Sequence, residues 1–437
     1  MTLLDLPVGW SRGTLDAVLE PLESGGKLQM GWSPQCDKEP APNDETWAVL
    51  KTTAIQPGDF QPGHNKRLPT HLSARPAIEV RTGDLLLTNA GPRARCGIPC
   101  LVRSTRPRLM LSGKMYRFRP DPEALDSRFL EYFLLSPGAQ ADIDTMKTGI
   151  SDSGLNLTQG RFLGLHVPVP SLKEQRQVVD ILEDHLSRLD VASMALFATH
   201  RRLVSLRRAA VDEITRRHSE GSVSLRSLVE RIEAGRSFGS ASRPAQDHEW
   251  GIVKVSAMTW GEFRPHENKV VIDTARIDSR YEIHAGDILV SRANTTAYVG
   301  APVLVEETRA RLLLSDKSLR LIPRAGVSSA YLHCVLSAPA ARAQMSARAT
   351  GTKDSMRNIS QESLLAVEVP LASPASQASV VAEVTDLDNT SVRLGDSVTH
   401  GQQRALGLRR ALLEAAFSGR LTAGSPGADH IEELAGV

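Results

Sequence analysis

The chain has 437 residues and a formal net charge of +2, so it is not a generic polycation. Apolar and charged contents of 41% and 23% are those of a globular protein with room for two or three domains. No apolar run reaches the ~20 residues that cross a bilayer, the start MTLLDLPVGW has no signal-peptide pattern, and the four cysteines form no disulfide framework, so a cytoplasmic location is expected.

Residues 1–46 hold a Pro7-Xaa-Gly-Trp10 entry, a helix-like piece over Leu15 to Leu22, and a polar loop rich in Gly and Pro. The stretch Trp47 to Ala54 reads as a strand. Strands are also expected over Asp84 to Thr88, Ile98 to Arg103 and Lys114 to Phe118, each bounded by Gly or Pro. A helix is predicted over Phe129 to Ile143 behind Asp126, followed by the polar loop Gly149 to Gly154. Pro168 and Pro170 end this unit. Neither Pro nor Gly then occurs until Gly221, and Leu182, Leu189, Leu196, Leu203 and Ala210 recur every seven residues, with Ala192 and Leu206 beside them. That seam marks one helix of about 65 Å at ~1.5 Å per residue.

The pattern then repeats. An offset of 203 pairs Trp47 with Trp250, Phe60 with Phe263, Asp84 with Asp287, Gly97 with Gly300 and Lys114 with Lys317. An offset of 202 pairs Gly149 with Gly351, Asn156 with Asn358 and Pro168 with Pro370. The second seam holds Val384, Ser391, Val398, Ala405 and Leu412, with Leu387, Leu394 and Leu408 alongside and Gly401 weakening it. Two copies of a globular unit, each followed by a long helix, are a tandem duplication, and neither helix buries its stripe alone. The second unit has a helix over Ala330 to Met345 behind Ser328 and a loop from Gly351 to Ser355.

Charge is concentrated in the first unit. From Phe60 to Arg119 stand 12 basic residues against Glu79 and Asp84 alone, a net +10 that points to a polyanion. The matching stretch Phe263 to Ile322 nets only +1. Catalytic constellations are missing. There is no Asn/Asp-Pro-Pro-aromatic motif to hold a flipped base, Gly25-Gly26-Lys27 lacks the spacing of a phosphate loop, and Asp121 with Glu131 lacks the Lys of a nuclease centre. The histidines form no metal-spaced pair. Cys96 and Cys100 lack further ligands and read as small core residues. Asp84 and Asp287 read as turn braces.

Gly9-Trp10, Gly83-Asp-Leu-Leu-Leu87, Thr148-Gly-Ile-Ser-Asp-Ser153 before Asn156-Leu157, and above all Val167-Pro-Val-Pro-Ser-Leu-Lys-Glu-Gln175 resemble the specificity subunit of a type I restriction-modification system, and the resemblance runs through nearly the whole chain. It implies an α/β (α+β) fold: target recognition domains over 1–170 and 219–372, long antiparallel coiled-coil spacer helices over 171–218 and 373–422, and a flexible tail over 423–437. It implies a non-catalytic subunit that recognises a bipartite asymmetric double-stranded DNA site and directs adenine methylation and cleavage by partners. Those partners are two methyltransferase subunits, which hold the S-adenosylmethionine, and restriction/translocase subunits. This chain itself is expected to bind no cofactor and no metal. The alternatives are a methylation-based phage-defence system lacking the usual nuclease, and a coiled-coil scaffold for proteins. The second junction, Val369-Pro-Leu-Ala-Ser-Pro-Ala-Ser-Gln377, departs from the pattern and suggests a weaker docking surface.

Phosphates call for Lys and Arg, guanine for Arg, and adenine for Asn or Gln. The DNA-binding candidates of the first unit are Thr88, Asn89, Arg93, Arg95, Arg106, Arg108, Lys114, Lys147, Ser151 and Ser153. Those of the second are Arg292, Asn294, Thr295, Thr296, Lys317, Arg348, Thr350, Thr352, Lys353 and Arg357, with Arg342 as a phosphate contact. Each of these side chains reads equally as a solvated loop residue. The partner-binding candidates are Pro168, Pro170, Glu174 and Gln175 at the junction, with Arg207, Arg208, Arg409 and Arg410 on the helices.

Overall fold

The computed structural model describes residues 6, 9–259, 261–354 and 356–421, those at 276, 352 and 353 as backbone only. The expected tail, and Thr422 before it, lie outside the described residues. The chain divides into two compact units, Met1–Leu196 with His400–Val437, and Phe197–Thr399. The long helices run Leu172–Arg217 and Pro374–Phe417, and each unit holds part of both.

In the first unit a four-stranded antiparallel sheet has the order Gln29–Met30, Met115–Phe118, Leu85–Thr88, Pro99–Leu101. The strand Leu85–Thr88 is buried on both faces. Successive strand side chains point to opposite sides. Leu85 and Leu87 therefore enter a core with Phe118, Phe129, Phe133 and Phe162, while Leu86 enters a second core with Val49, Ile55 and Met110. Cys96 belongs to the first core and Cys100 to the second.

The single helix expected over Phe129 to Ile143 is two, Ser127–Leu135 and Pro137–Met146. Pro137 has no N–H to continue the ladder and forces the preceding residue to extended backbone. Ser136 adopts that conformation and caps the second helix, as Asp126 caps the first. The second unit repeats the break, with Ser329–Ser337 and Pro339–Arg348. Its four-stranded sheet, Val229–Ala234, Ser318–Pro323, Ile288–Ser291, Pro302–Leu304, divides two cores in the same manner: Ile288 and Val290 face Tyr331 and Leu332, and Leu289 faces Val303 and Leu312.

Within each unit the helix segments run antiparallel. In the first, Arg409 Nη1 lies 2.6 Å from Asp190 Oδ1, and Leu412 and Ala416 share a core with Leu182 and Leu186. In the second, Arg207 Nε lies 2.7 Å from Asp388 Oδ1 and His218 Nε2 2.7 Å from Glu383 Oε1. The expected seam is buried at Leu182, Val384, Val398 and Leu412. Leu206 and Leu394, placed beside it by their spacing, are instead 67% and 50% exposed, so they face away from the partner helix.

Candidate nucleic-acid interface

The same three loops meet in both units. The Asn89 N–H donates to the Lys114 carbonyl and the Leu157 N–H to the Asn89 carbonyl. In the copy, Arg292 donates to Lys317 and Ile359 to Arg292. Short pairings, Ala90–Gly91 with Leu155–Asn156 and Ala293–Asn294 with Met356–Asn358, extend each cluster.

The loop between Thr148 and Asn156 is closed at its neck by two backbone hydrogen bonds of 2.8 and 2.7 Å between those residues. A Cβ on Gly149 would lie 2.6 Å from the Gly154 carbonyl oxygen, so only glycine fits that neck. Arg93 braces the loop from outside, with Nε 3.0 Å from Asp152 Oδ1 and Nη1 2.7 Å from Asp144 Oδ2. Lys147 Nζ reaches Asp144 Oδ1 at 2.9 Å and the Arg93 carbonyl at 3.0 Å. The Lys147 hydrogen bond and the charges of Lys147 and Arg93 hold Asp144 below the ordinary carboxylate value, and Asp152 followed by Asp144 raises Arg93. In the copy, Thr296 takes the place of Arg93: its N–H donates to the Asp354 carbonyl and its Oγ1 lies 3.2 Å from Asp354 Oδ1.

Much of the expected +10 surface is consumed inside the first unit. Arg95 donates to the Thr52 and Ile55 carbonyls at 2.7 and 2.6 Å. Arg106 donates to the carbonyls of Asn43 and Thr46, and Arg108, at φ +60°, to that of Glu45. Arg309 and Arg311 repeat these staples on Ala245 and His248. Arg103 pairs with the fully buried Glu131, Arg119 with the fully buried Asp84, and Arg67 and Arg81 with Asp37 and Glu23. Asp84 and Asp287 also accept from the N–H groups of Arg81 and His284, bracing the turns as expected. The acids that neutralise the stretch lie partly outside it in sequence, which a window count does not register.

Thr88 is buried, its hydroxyl donating to the Arg95 carbonyl. Asn89 is buried as well. Thr88, Arg95, Arg106 and Arg108 are thus bonded within their own unit. Lys147 is likewise spent on its clamp. In the second unit Arg342 donates to the Ala297 and Val299 carbonyls, and burial pulls it down to about 10. Arg357 donates to the Ala349 carbonyl and Arg348 to that of Gln344, so these three are also tied internally. Asn294 caps its own turn by accepting from the Thr295 N–H. Lys114, Ser151, Ser153, Arg292, Thr295, Thr296 and Thr350 are exposed, and Lys317 is half-buried. The side chains of Thr352 and Lys353 lie outside the described residues. Ile150, within the expected Lys147 to Ser153 reading loop, is exposed, and Asn156 and Asn358, outside the expected candidates, are exposed in the same clusters. A position-by-position reading of the two copies would have found them.

At the junctions Gln175 is fully buried. Its Oε1 accepts from the Asp126 N–H and its Nε2 donates to the Ala124 and Pro170 carbonyls. Gln377 repeats all three contacts, to Ser328, Gly326 and Ala372. The second junction therefore keeps its glutamine, while Ser376 stands in place of Glu174, which accepts from Trp10 Nε1. Pro168 and Pro170 are buried. These residues knit the helix to its own unit. Arg207 and Arg409 are paired to Asp388 and Asp190. Arg208 and Arg410 are exposed, and Arg208 lines a cleft of about 700 Å³ with Arg207, Tyr298 and Arg342.

Residues 102–192 match the model of the type I restriction modification DNA specificity domain. Over 209 residues the chain is 32% identical to the Type I restriction enzyme EcoEI specificity subunit of Escherichia coli, covering 48% of this chain and 34% of that relative, so the match spans about a third of the relative's length. It is 23% identical over 441 residues to the Type I restriction enzyme EcoKI specificity subunit of Escherichia coli (strain K12), covering 96% and 90% of the two chains. The fold is similar to a chain in a structure concerned with complex assembly and conformational transition of the type I R-M system, at TM-score 0.70, 19% identity and coverage of 94% and 98%. It is also similar to the HsdS subunit from Thermoanaerobacter tengcongensis, at TM-score 0.53, 17% identity and coverage of 96% and 99%.

Proposed function

We propose that the chain is a type I restriction-modification specificity subunit, the DNA-reading member of such a complex, a reading supported by the match of residues 102–192 to the specificity-domain model and by the two similar specificity subunits. The observation that carries the reading is the duplication of one loop cluster on two units of the same topology, which suits a bipartite target with one unit for each half. Exposed Lys114, Arg292 and half-buried Lys317 supply charge for phosphates; the loops around Ser151 and Thr350 supply donors and acceptors for base edges.

The chain directs chemistry done by others. Methyltransferase subunits bring S-adenosylmethionine, and restriction/translocase subunits bring cleavage. The long helices offer a docking surface: Val191, Met194 and Leu406 in the first unit, and Phe197, Leu206, Val392 and Leu394 in the second, are half or more exposed. Scattered exposed apolar side chains are ordinary, but seven on two helices suit a helical partner.

The experiment is methylation. The purified chain alone is expected to transfer no methyl group from labelled S-adenosylmethionine to DNA, and the complex with its methyltransferase to mark one adenine in each half of a bipartite sequence. Methyl transfer by the chain alone, or methylation by the complex at no fixed sequence, overturns the reading.

A further inference from the structure

The loop Thr148 to Ser153 and its copy Thr350 to Ser355 share four of six residues: Thr148/Thr350, Gly149/Gly351, Asp152/Asp354 and Ser153/Ser355. The shared glycines and aspartates form the frame. The glycines allow the close approach at the neck, where a Cβ on Gly351 would lie 2.7 Å from the Met356 carbonyl oxygen. The aspartates of the two copies are held by Arg93 and Thr296. Within these six residues only the tip differs, Ile150-Ser151 in one unit and Thr352-Lys353 in the other; beyond them Gly154-Leu155 answers to Met356-Arg357. A reader of two unlike half-sites needs a common frame and different readers, so the differing positions are where sequence is read.

Ile150 is 108% exposed, further out than any other large apolar side chain among the described residues. It stands among polar groups, with Ser151 and Ser153 hydroxyls 2.9 Å apart beside it and Asn156 exposed at the neck. The pairing with Arg93 neutralises Asp152, which would otherwise repel phosphate. One apolar group among hydroxyls and an amide matches the major-groove edge of an A·T pair, where the thymine C5-methyl lies beside hydrogen-bonding groups. We propose that Ile150 is a specificity-determining residue that reads a thymine methyl in the half-site bound by the first unit. This rests on the DNA-reading function proposed above.

The probe is a duplex oligonucleotide carrying the bipartite site read from methylated positions, with deoxyuridine replacing each thymine in turn. Uracil lacks only the methyl group. The full chain in complex with its methyltransferase is expected to lose about fourfold in affinity at one thymine, the weight of a single buried methyl or methylene group. Ile150→Ala is expected to bind the unmodified duplex about as weakly as wild type binds that uracil duplex, and to be indifferent to uracil there. As the side chain is fully exposed, the variant should melt with wild type. Ile150→Thr with Ser151→Lys, copying the other tip, should change the preferred base at that position and leave the other half-site unaltered. Uracil tolerated at every position by wild type, uracil sensitivity retained in Ile150→Ala, or a uniform loss on all sequences as for an apolar wedge between base steps overturns the proposal. A complex with no sequence preference overturns instead the function on which it rests.

Discussion

Arg95 bonds two main-chain carbonyls and the Gln56 side chain, whereas Arg93 bonds two exposed or half-exposed carboxylates. Two arginines one residue apart should therefore fail differently. Arg95→Ala orphans partly buried carbonyls and is expected to lose about 1–3 kcal/mol of stability, seen in thermal melts. Arg93→Ala should leave the melt within about 0.5 kcal/mol and weaken binding at the first half-site alone, by releasing the reading loop. Equal melting losses would refute the division. Nothing local in Pro92-Arg-Ala-Arg95 separates the two, because the difference lies in residues some 40 and 55 positions away in the chain. Arg103 and Glu131 make a second test. Burial raises the Glu131 carboxyl above 4.5, while the hydrogen bond from Arg103 opposes the rise. In Arg103→Ala the burial is opposed only by the hydrogen bond from the Leu101 N–H, 2.6 Å from Glu131 Oε1. A carboxyl raised in the folded state weighs against folding above its folded value, and the penalty fades as pH falls towards 4.5. The variant should lose about 2 kcal/mol near neutral pH, less than the ~3–5 of a fully buried pair because Arg103 is 45% exposed, and should recover part of it at pH 5. Denaturant melts that show an equal loss from pH 5 to pH 8 would contradict this.

Helices, strands and the repeat were legible because each leaves a periodic trace. The seven-residue ladder located both long helices, and the Gly-Asp-Leu-Leu-Leu run located a strand buried on both faces. The helix break at Pro137 is marked by the proline, yet apolar spacing continues across it and hides the break. The seam was legible less sharply: spacing alone placed Leu206 and Leu394 with it, and only packing decides that they face outwards. Gly401 shows the same gap between pattern and packing. On the pattern it is a defect, but in the first unit it faces Leu196, whose Cδ1 and Cδ2 would each lie 3.2 Å from an added Cβ. Leu196 is only half-buried and these atoms end a flexible side chain, so they can shift by a few tenths of an ångström. Gly401→Ala is therefore expected to stabilise the chain by about 0.5–1 kcal/mol through helix propensity, a rise in melting temperature. Gly97→Ala has the opposite sign. Gly97 sits at φ +86°, and a Cβ would lie 2.6 Å from Ile143 Cγ2 in a filled core, so a loss of about 1–3 kcal/mol is expected. A fall in melting temperature for Gly401→Ala would show that Leu196 cannot yield.

The first unit is closed by residues far away in sequence. Leu412, Leu413, Ala415 and Ala416 belong to its core, and the Phe417 ring lies 5.2 Å from that of Phe129 and 5.5 Å from that of Phe133. A chain ending at Ser219 loses all of them and leaves the Phe129, Phe133, Leu182 and Leu186 surface open. The duplication supplies a replacement. At an offset of 202, Leu206-Arg-Arg-Ala-Ala-Val-Asp-Glu-Ile-Thr215 corresponds to Leu408-Arg-Arg-Ala-Leu-Leu-Glu-Ala-Ala-Phe417. In the truncated chain that segment has lost its own partners, Val380 and Val384 among them. Each copy thus has an open site and a segment of the kind that fills it, so two copies satisfy each other about a two-fold axis. The 1–219 chain is expected to sediment as a dimer at micromolar concentration and, with methyltransferase, to mark an inverted repeat of the first half-site. The fit is imperfect where Thr215 replaces Phe417. A missing aromatic in a core costs about 3 kcal/mol, so Thr215→Phe should tighten the truncated dimer measurably. The same change in the full chain should not help, because there Thr215 is buried in the second unit and Tyr331 and Val335 stand where the first unit has Phe129 and Phe133. A 1–219 chain that sediments as a monomer, or a dimer that Thr215→Phe weakens, would show that the two copies no longer share one helix interface.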